Sequence, residues 1–449
     1  MRIFNIIILS QLSFLLGQNV SLIVDEDTFL NQHVDSVKHV LSNHLINRGY
    51  FGGKLILVEN DQEKLTYHFI NESKAIDELS FSRSISIHDN ILERIFSPLY
   101  KMDHTKSEKQ FVRKIRSSYP FIPENVKINF GRVEHDHLGA LIDFTPDFNS
   151  HFSGIIGAIQ NNEKKWDYSG EIDIRLENIW QTASTTEITW KRQNEDSQYT
   201  RFMHEEPYPF GLPFGVKFEF SQDFRDGNYV LNKTYGAFSV INKSGKWYLG
   251  GIKEKLAPTT KGDSLGIKSF RSESFSITFT GDNRNDRWLP TKGSFLDVST
   301  EIGEINRKGL TFRFNMLFEK LVSLSNYISV QMKFQNSAVR NSGEIENVYV
   351  GQMIRYGGHN SLRGYQEDIF RDDFVSIYNV NILFIPNNNM QLYPFADMAF
   401  NDEFTLKYSR GFGFRQRTRN SVIEISFGWP RDEAFSAGKV HVKFTSLLD

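Results

Sequence analysis

Four groups of residues carry side chains able to do chemistry. Glu134-His135-Asp136-His137 places two imidazoles beside two carboxylates, the donor types a zinc ion takes. The tetrad falls between the apolar segments Val126–Val133 and Leu138–Phe144, so it reads as the solvated tip of a hairpin. Asp297 and Glu424 are carboxylates set among alternating apolar residues. They read as the polar lining of a wall rather than as an acid–base pair. Lys101, Lys106, Lys109, Arg113, Lys114 and Arg116 crowd a predicted helix, and a solvated cationic face is their default. The fourth group, Gly357-Gly358-His359-Asn360-Ser361-Leu362-Arg363-Gly364-Tyr365, frames one arginine with glycines. Its chemistry is recognition, because a planar guanidinium grips a carboxylate through two hydrogen bonds. Neither a Gly-x-Ser-x-Gly elbow nor a phosphate-binding Gly-Lys-Ser/Thr loop occurs. We expect no enzyme activity, no metal and no cofactor.

The elements that position these residues are of two kinds. From Phe152 onward the apolar residues recur with a period of two. Leu296, Val298, Thr300 and Ile302 alternate with Phe295, Asp297, Ser299 and Glu301, and Ile423, Ile425, Phe427 and Trp429 with Val422, Glu424, Ser426 and Gly428. Charges on one face and branched or aromatic residues on the other fit a transmembrane barrel with a wet lumen. A soluble β-sandwich shows the same period with its apolar face turned inward. The 39 Phe and 17 Tyr, and an export signal, favour the barrel. About sixteen antiparallel strands are expected. Eleven precede the Gly-rich stretch, the eleventh near Leu324–Val339. Five follow, near Phe374–Pro386, Met390–Phe400, Thr405–Arg417, Ser421–Trp429 and Lys439–Thr445. An even count leaves both ends of the barrel chain on the periplasmic side and makes the loop after strand eleven extracellular.

Ahead of the barrel the pattern differs. Met1-Arg2 followed by the short apolar stretch Ile6–Leu16 and Gly17 reads as a secretory signal peptide over 1–17. It is too short to span a bilayer as a helix, which takes about 20 residues. Apolar residues from Phe29 to Ile46 predict a helix over Thr28–Tyr50, stopped by Gly49. Lys54–Val58 and Leu65–Ile70 read as paired strands. A second unit follows: a strand at Ile76–Phe81, a helix at Asp89–Phe96 with Asp89 as N-cap, a helix at Ser107–Tyr119 stopped by Pro120 and Pro123, and a hairpin from Val126–Val133 to Leu138–Phe144. Cysteine is absent, so no disulfide framework or thiolate site exists. A net charge of −2 over 449 residues argues against nucleic acid as a partner. The mean hydropathy of −0.40 excludes a helical membrane protein, a test that a barrel escapes.

Three segments resemble a known family. Gly357 to Tyr365 resembles the Arg-Gly-Tyr/Phe loop signature of the BamA, TamA and two-partner-secretion transporter superfamily, in which the loop lies between strands eleven and twelve and folds back into the barrel. Asp282-Asn283-Arg284-Asn285-Asp286-Arg287-Trp288-Leu289-Pro290-Thr291-Lys292-Gly293 resembles its D-x-R-D…P-x-x-G turn before strand nine. Here Asp and Asn suit the turn, Pro290 fixes φ and Gly293 supplies positive φ. Phe395-Ala396-Asp397-Met398-Ala399 is similar to its F-x-A-D-x-G segment on strand thirteen. Alternation turns Leu392, Ala396, Met398 and Phe400 outward and Asp397 into the lumen. The resemblance then implies an Arg363–Asp397 ion pair inside the barrel, with Tyr365 packed beside it. The chain departs from the family where Asn379 and Asn381 replace a usual Glu, where Ala399 replaces Gly, and where the chain ends in Leu448-Asp449 rather than an aromatic residue. The β-α-α-β-β order of 73–148 resembles a POTRA domain, and 19–72 a shorter or degenerate copy, leaving 149–449 for the barrel. This resemblance implies a device at the bacterial outer membrane that inserts or translocates client outer-membrane or secreted polypeptides. The lipid bilayer and periplasmic accessory proteins would be its other partners. The alternative expectation is a passive pore or surface receptor of the same architecture.

Overall fold

The computed structural model describes residues 19–24, 27–33, 36–47, 54–61, 64–70, 75–101, 108–133, 137–160, 166–194, 196–242 and 244–448. The expected signal peptide, Gly49, and Glu134, His135 and Asp136 lie outside them. The chain divides into two compact units, one from residues 1–112 and 122–146, the other from 113–121 and 147–449.

In the first unit, β1 (Asn19–Val24), β2 (Asp27–His33), α1 (Val37–Asn47), β3 (Lys54–Asp61) and β4 (Lys64–Ile70) form a sheet of order β2-β1-β4-β3 with one helix. Leu22, Val24, Val37, Leu41, Leu65 and Tyr67 make its core. The helix expected from Thr28 is corrected here. Residues 27–33 pair antiparallel with β1, Leu22 opposite Phe29 and Val24 opposite Asp27, and the helix starts only at Val37. An available strand edge outweighs the local helical spacing. Next come β5 (Glu78–Phe81), α2 (Asp89–Phe96), α3 (Glu108–Arg116), β6 (Lys127–Val133) and β7 (His137–Asp143), with sheet order β5-β7-β6. Ile91, Leu92, Ile95 and Phe96 bury the apolar face of α2, and Phe96 meets Phe81, Phe111 and Phe144 at ring distances of 6.0, 6.2 and 5.8 Å. The N-cap of α2 is His88, without a side-chain cap bond. Asp89 is instead the first helical residue, where a carboxylate faces the positive end of the helix dipole.

The second unit holds a closed barrel of sixteen antiparallel strands. Its first eight are β8 (His151–Gln160), β9 (Trp166–Glu177), β10 (Thr185–Asn194), β11 (Ser197–Glu206), β12 (Gly215–Arg225), β13 (Tyr229–Asn242), β14 (Gly245–Pro258) and β15 (Phe270–Asp282). Then come β16 (Gly293–Ile305), β17 (Gly309–Ser323) and β18 (Ile328–Gly343). A long loop carries a small two-stranded sheet, β19 (Ile354–Tyr356) with β20 (Phe370–Asp372). Five strands complete the ring: β21 (Phe374–Asn387), β22 (Met390–Asn401), β23 (Leu406–Arg417), β24 (Ser421–Pro430) and β25 (Lys439–Leu447). The eleventh strand begins later than expected because Ser325 Oγ accepts the amides of Tyr327 and Ile328 and turns the chain there.

Side chains sort by the pleat. On β22, Gln391, Tyr393, Phe395 and Asp397 are almost fully buried, whereas Leu392 is 40% exposed on the outer wall. On the outside stand Phe238, Phe275 and Val442, all exposed. Inside, charges pair from strand to strand: Arg175 with Glu187, Glu187 with Arg201 at 2.9 Å, Arg201 with Glu219 at 2.8 Å, and Glu254 with Arg313 at 2.7 Å. An apolar outer wall around a charged lumen inverts a soluble sandwich and matches a barrel bathed in acyl chains.

The ring closes unevenly. β24 and β25 are paired from Ser421–Ser446 through Gly428–Lys439. Among the described residues, β25 meets β8 at Thr445–Ser153, Ser446–Phe152 and Leu447–His151. The pairing covers the end where β8 starts and β25 stops, called the near end below, and stops short of the far end.

Candidate functional site

The loop between β18 and β21 enters the lumen from the far end and docks on the wall. Leu362 and Tyr356, both buried, pack with the inward-facing Val375, Ile377 and Ala399, and Tyr365 and Phe370 join them. A tight turn sets up the arginine. The Gly357 amide donates to Ser361 Oγ at 2.8 Å, that hydroxyl donates back to Gly357 O at 2.9 Å, and the Gly358 amide donates to Leu362 O at 3.1 Å. Gly364 has φ +91°, and a Cβ there would stand 2.8 Å from Trp429 N and 2.9 Å from Gly428 C on β24. Two glycines back to back let the loop backbone touch the barrel wall. The Tyr365 hydroxyl donates to Tyr408 O at 3.3 Å.

Arg363, 5% exposed, and Asp397, fully buried, meet there. Arg363 Nε donates to Asp397 Oδ2 at 2.8 Å and Nη2 to Oδ1 at 2.6 Å, while the Arg363 amide donates to Oδ2 at 3.0 Å. The guanidinium also lies 3.6 Å from the centre of the Phe395 ring, a cation–π contact on its flat face. Asn381 accepts from Arg363 Nη2 at 2.8 Å and donates to Gln331 Oε1 at 2.7 Å. Asn379 donates to Ser361 O at 2.7 Å. With one buried cation already matched by one carboxylate, the neutral amide of Asn381 accepts a further N–H of Nη2 without adding a bare charge.

From Asn381 the bonded chain continues toward the near end. Gln331 donates to Glu319 Oε1 at 3.0 Å, and Glu319 accepts from Arg284 at 3.2 Å. Arg284 is forked onto Asp282, with Nε to Oδ1 at 3.0 Å and Nη2 to Oδ2 at 2.6 Å. Loop and turn motifs, read from sequence as separate signatures, are thus joined by one polar relay.

The turn from Asp282 to Gly293 is held by its own side chains. Asn283 Oδ1 accepts from Ser294, Asn285 Oδ1 from Thr291 and Lys292, and Asp286 Oδ1 from Trp288 and Leu289, all at 2.6–3.0 Å. Gly293 has φ +112°, and a Cβ there would stand 2.5 Å from Asn283 O. Beyond its root the turn reaches far across the ring. Asp286 meets Arg417 on β23 at 3.2 Å, and Pro290 O accepts from Gln391 on β22 at 3.2 Å. Arg287 meets Glu177 on β9 at 3.0 Å. Trp288 stands edge-on to His151 on β8 at 5.1 Å, and its indole N–H donates to Asn149 at 3.1 Å.

Sequence reasoning named Arg363, Asp397 and the turn residues but missed Asn381, Gln331 and Glu319 as links, and Arg287 and Trp288 as long-range contacts. Alternation says that these side chains face the lumen but not which partner lies across it. The two lumen carboxylates singled out by type are structural in their bonding: Asp297 accepts from Thr280 at 2.6 Å, and Glu424 from Arg415 at 2.8 Å and Tyr393 at 2.7 Å.

A closed sixteen-stranded barrel with an arginine loop docked in its lumen defines a class of outer-membrane protein. The Omp85 superfamily domain matches residues 132–430, and the chain belongs to that superfamily, to which BamA, TamA and the two-partner-secretion transporters belong. Its fold is similar to CdiB from Escherichia coli at 12% identity and a TM-score of 0.57, covering 96% of this chain and 90% of that one. It is similar to CdiB from Acinetobacter baumannii at 11% and 0.54, covering 94% and 83%. BamA from Haemophilus ducreyi lacking POTRA domains 1-3 matches at 14% and 0.52, covering 95% and 99%. No curated protein matches the chain.

Proposed function

We propose that this chain inserts polypeptides into the outer membrane or passes them across it, without catalysing a covalent reaction and without a cofactor. Residues 19–72 and 73–148 serve in this reading as periplasmic POTRA modules, the near end of the barrel facing the periplasm. Support comes from the β-α-α-β-β order of the second module and from its sheet order, which leaves β5 and β6 as edges. An extended client can add to such an edge through main-chain hydrogen bonds. Periplasmic accessory proteins and the lipid bilayer are its further partners.

The observation that carries the reading is the seam. Among the described residues, β25 is paired with β8 at three positions, leaving Lys439–Phe444 without a partner on that side. Unpaired strand edges are templates for another strand. The passive pore or receptor reading finds less support, since a docked loop and a folded-in turn both cross the lumen.

Ser446 and Phe152 face each other across the seam, within the about 4.5–5.5 Å of antiparallel partners that a disulfide can bridge. The native chain has no cysteine to interfere. The pair Ser446→Cys with Phe152→Cys should form a disulfide that halts client assembly or secretion in cells depleted of the native protein, and reductant should restore it. Normal levels of outer-membrane and secreted proteins with the seam locked would overturn the proposal.

A further inference from the structure

We propose that residues 283–292 form a strap across the near-end mouth of the barrel, and that its tip must release the first two strands before a polypeptide can enter the lumen. The client in this statement rests on the translocation reading, whereas the strap rests on geometry alone.

The strap is rooted between the eighth and ninth strands of a ring of sixteen. Its tip reaches the first strand through Trp288 and His151, and the second through Arg287 and Glu177. Those strands stand nearly opposite the root, so the turn crosses the opening. Gln391 on the thirteenth strand and Arg417 on the fourteenth hold its flank. Leu289, 4% exposed, is covered as a consequence.

Its bonds divide into two sets. Asn285 and Asp286 cap amides of the strap itself, so these bonds travel with it when it swings, while Asn283 fixes the root to Ser294 at the start of β16. The tip contacts are few. Glu177 keeps a second partner, Arg175 Nε at 2.9 Å, when Arg287 leaves. No buried carboxylate is then stranded, which removes the large cost of breaking such a pair. The tip also bears on the seam, because His151 under Trp288 is the residue paired with Leu447 of β25. Release of the strap therefore frees the mouth and unburdens the His151–Leu447 pair that helps to close the ring. The relay from Arg284 through Glu319, Gln331 and Asn381 to Arg363 ties the root to the lumen loop.

The test uses the whole protein in a planar lipid bilayer, with no client present. Arg287→Ala combined with Trp288→Ala should raise the open fraction by about tenfold, whereas Trp288→Phe, which keeps a ring on His151, should stay near the parent. Because the double variant can fail to fold, a second arm bridges Trp288→Cys to His151→Cys with a reductant-cleavable bifunctional thiol reagent. Bridged protein should remain closed and regain its openings on reduction. A folded double variant that conducts like its parent, or a bridged protein that opens as often as the unbridged one, would overturn the strap. Neither outcome bears on the translocation reading, which the seam lock tests with the strap intact.

Discussion

At Arg363, Nε and Nη2 donate to Asp397 and Nη2 also to Asn381, and the flat face of the guanidinium rests on Phe395. With both members of the pair buried, removing one leaves the other charged and unmatched. Arg363→Ala and Asp397→Ala should each destabilise the barrel by about 3–5 kcal/mol. The double variant should cost less than the sum, read as thermal unfolding in detergent, and strictly additive losses would refute the coupling. Arg363→Lys should recover little, because an ammonium cannot fork onto a carboxylate. Asn381→Ala should cost about 1–3 kcal/mol, since it leaves a buried N–H of Arg363 unpaired and takes from Gln331 Oε1 the shorter of its two donors. At this scale the sequence reveals Arg363 and Asp397, because a glycine-framed arginine and an inward-facing aspartate on an alternating strand are both visible in one dimension. Asn381, Gln331 and Glu319 are ordinary lumen polar residues until the ring closes and sets three strands side by side.

Among the elements, the loop and the turn depend on glycines at points of backbone contact. Gly364→Ala combines φ +91° with a Cβ 2.8 Å from the Trp429 amide nitrogen. It should undock the loop, expressed as faster proteolysis between Gly357 and Ile369 in the folded barrel, while protection equal to the parent would show that the contact is not needed. The barrel strands were readable because only a lipid-facing wall around a wet lumen pairs strict alternation with so many aromatic residues. Strand β2 was not, since Phe29, Val34 and Val37 fit helical spacing as well as any strand pattern. Its conformation is decided by β1, which offers an edge to residues 27–33. The turn was readable as a turn from its Asp, Asn, Pro and Gly residues. Its reach to β8 and β9 was not, because Arg287 and Trp288 meet partners more than a hundred residues away.

For the whole molecule, the lumen is crossed at two depths, by the arginine loop and by the 283–292 turn, and among the described residues the last strand pairs with the first at three positions. In the proposed reading these features belong together, in a device that stays closed at rest and opens along one seam. The most direct measurement places a photoreactive residue at Val442, on the part of β25 that β8 does not pair, and irradiates cells during export. The account predicts adducts with newly made outer-membrane or secreted polypeptides, strongest at Val442 and weak at a lipid-facing control such as Phe275. Adducts with lipid alone, at equal yield at both positions, would contradict it.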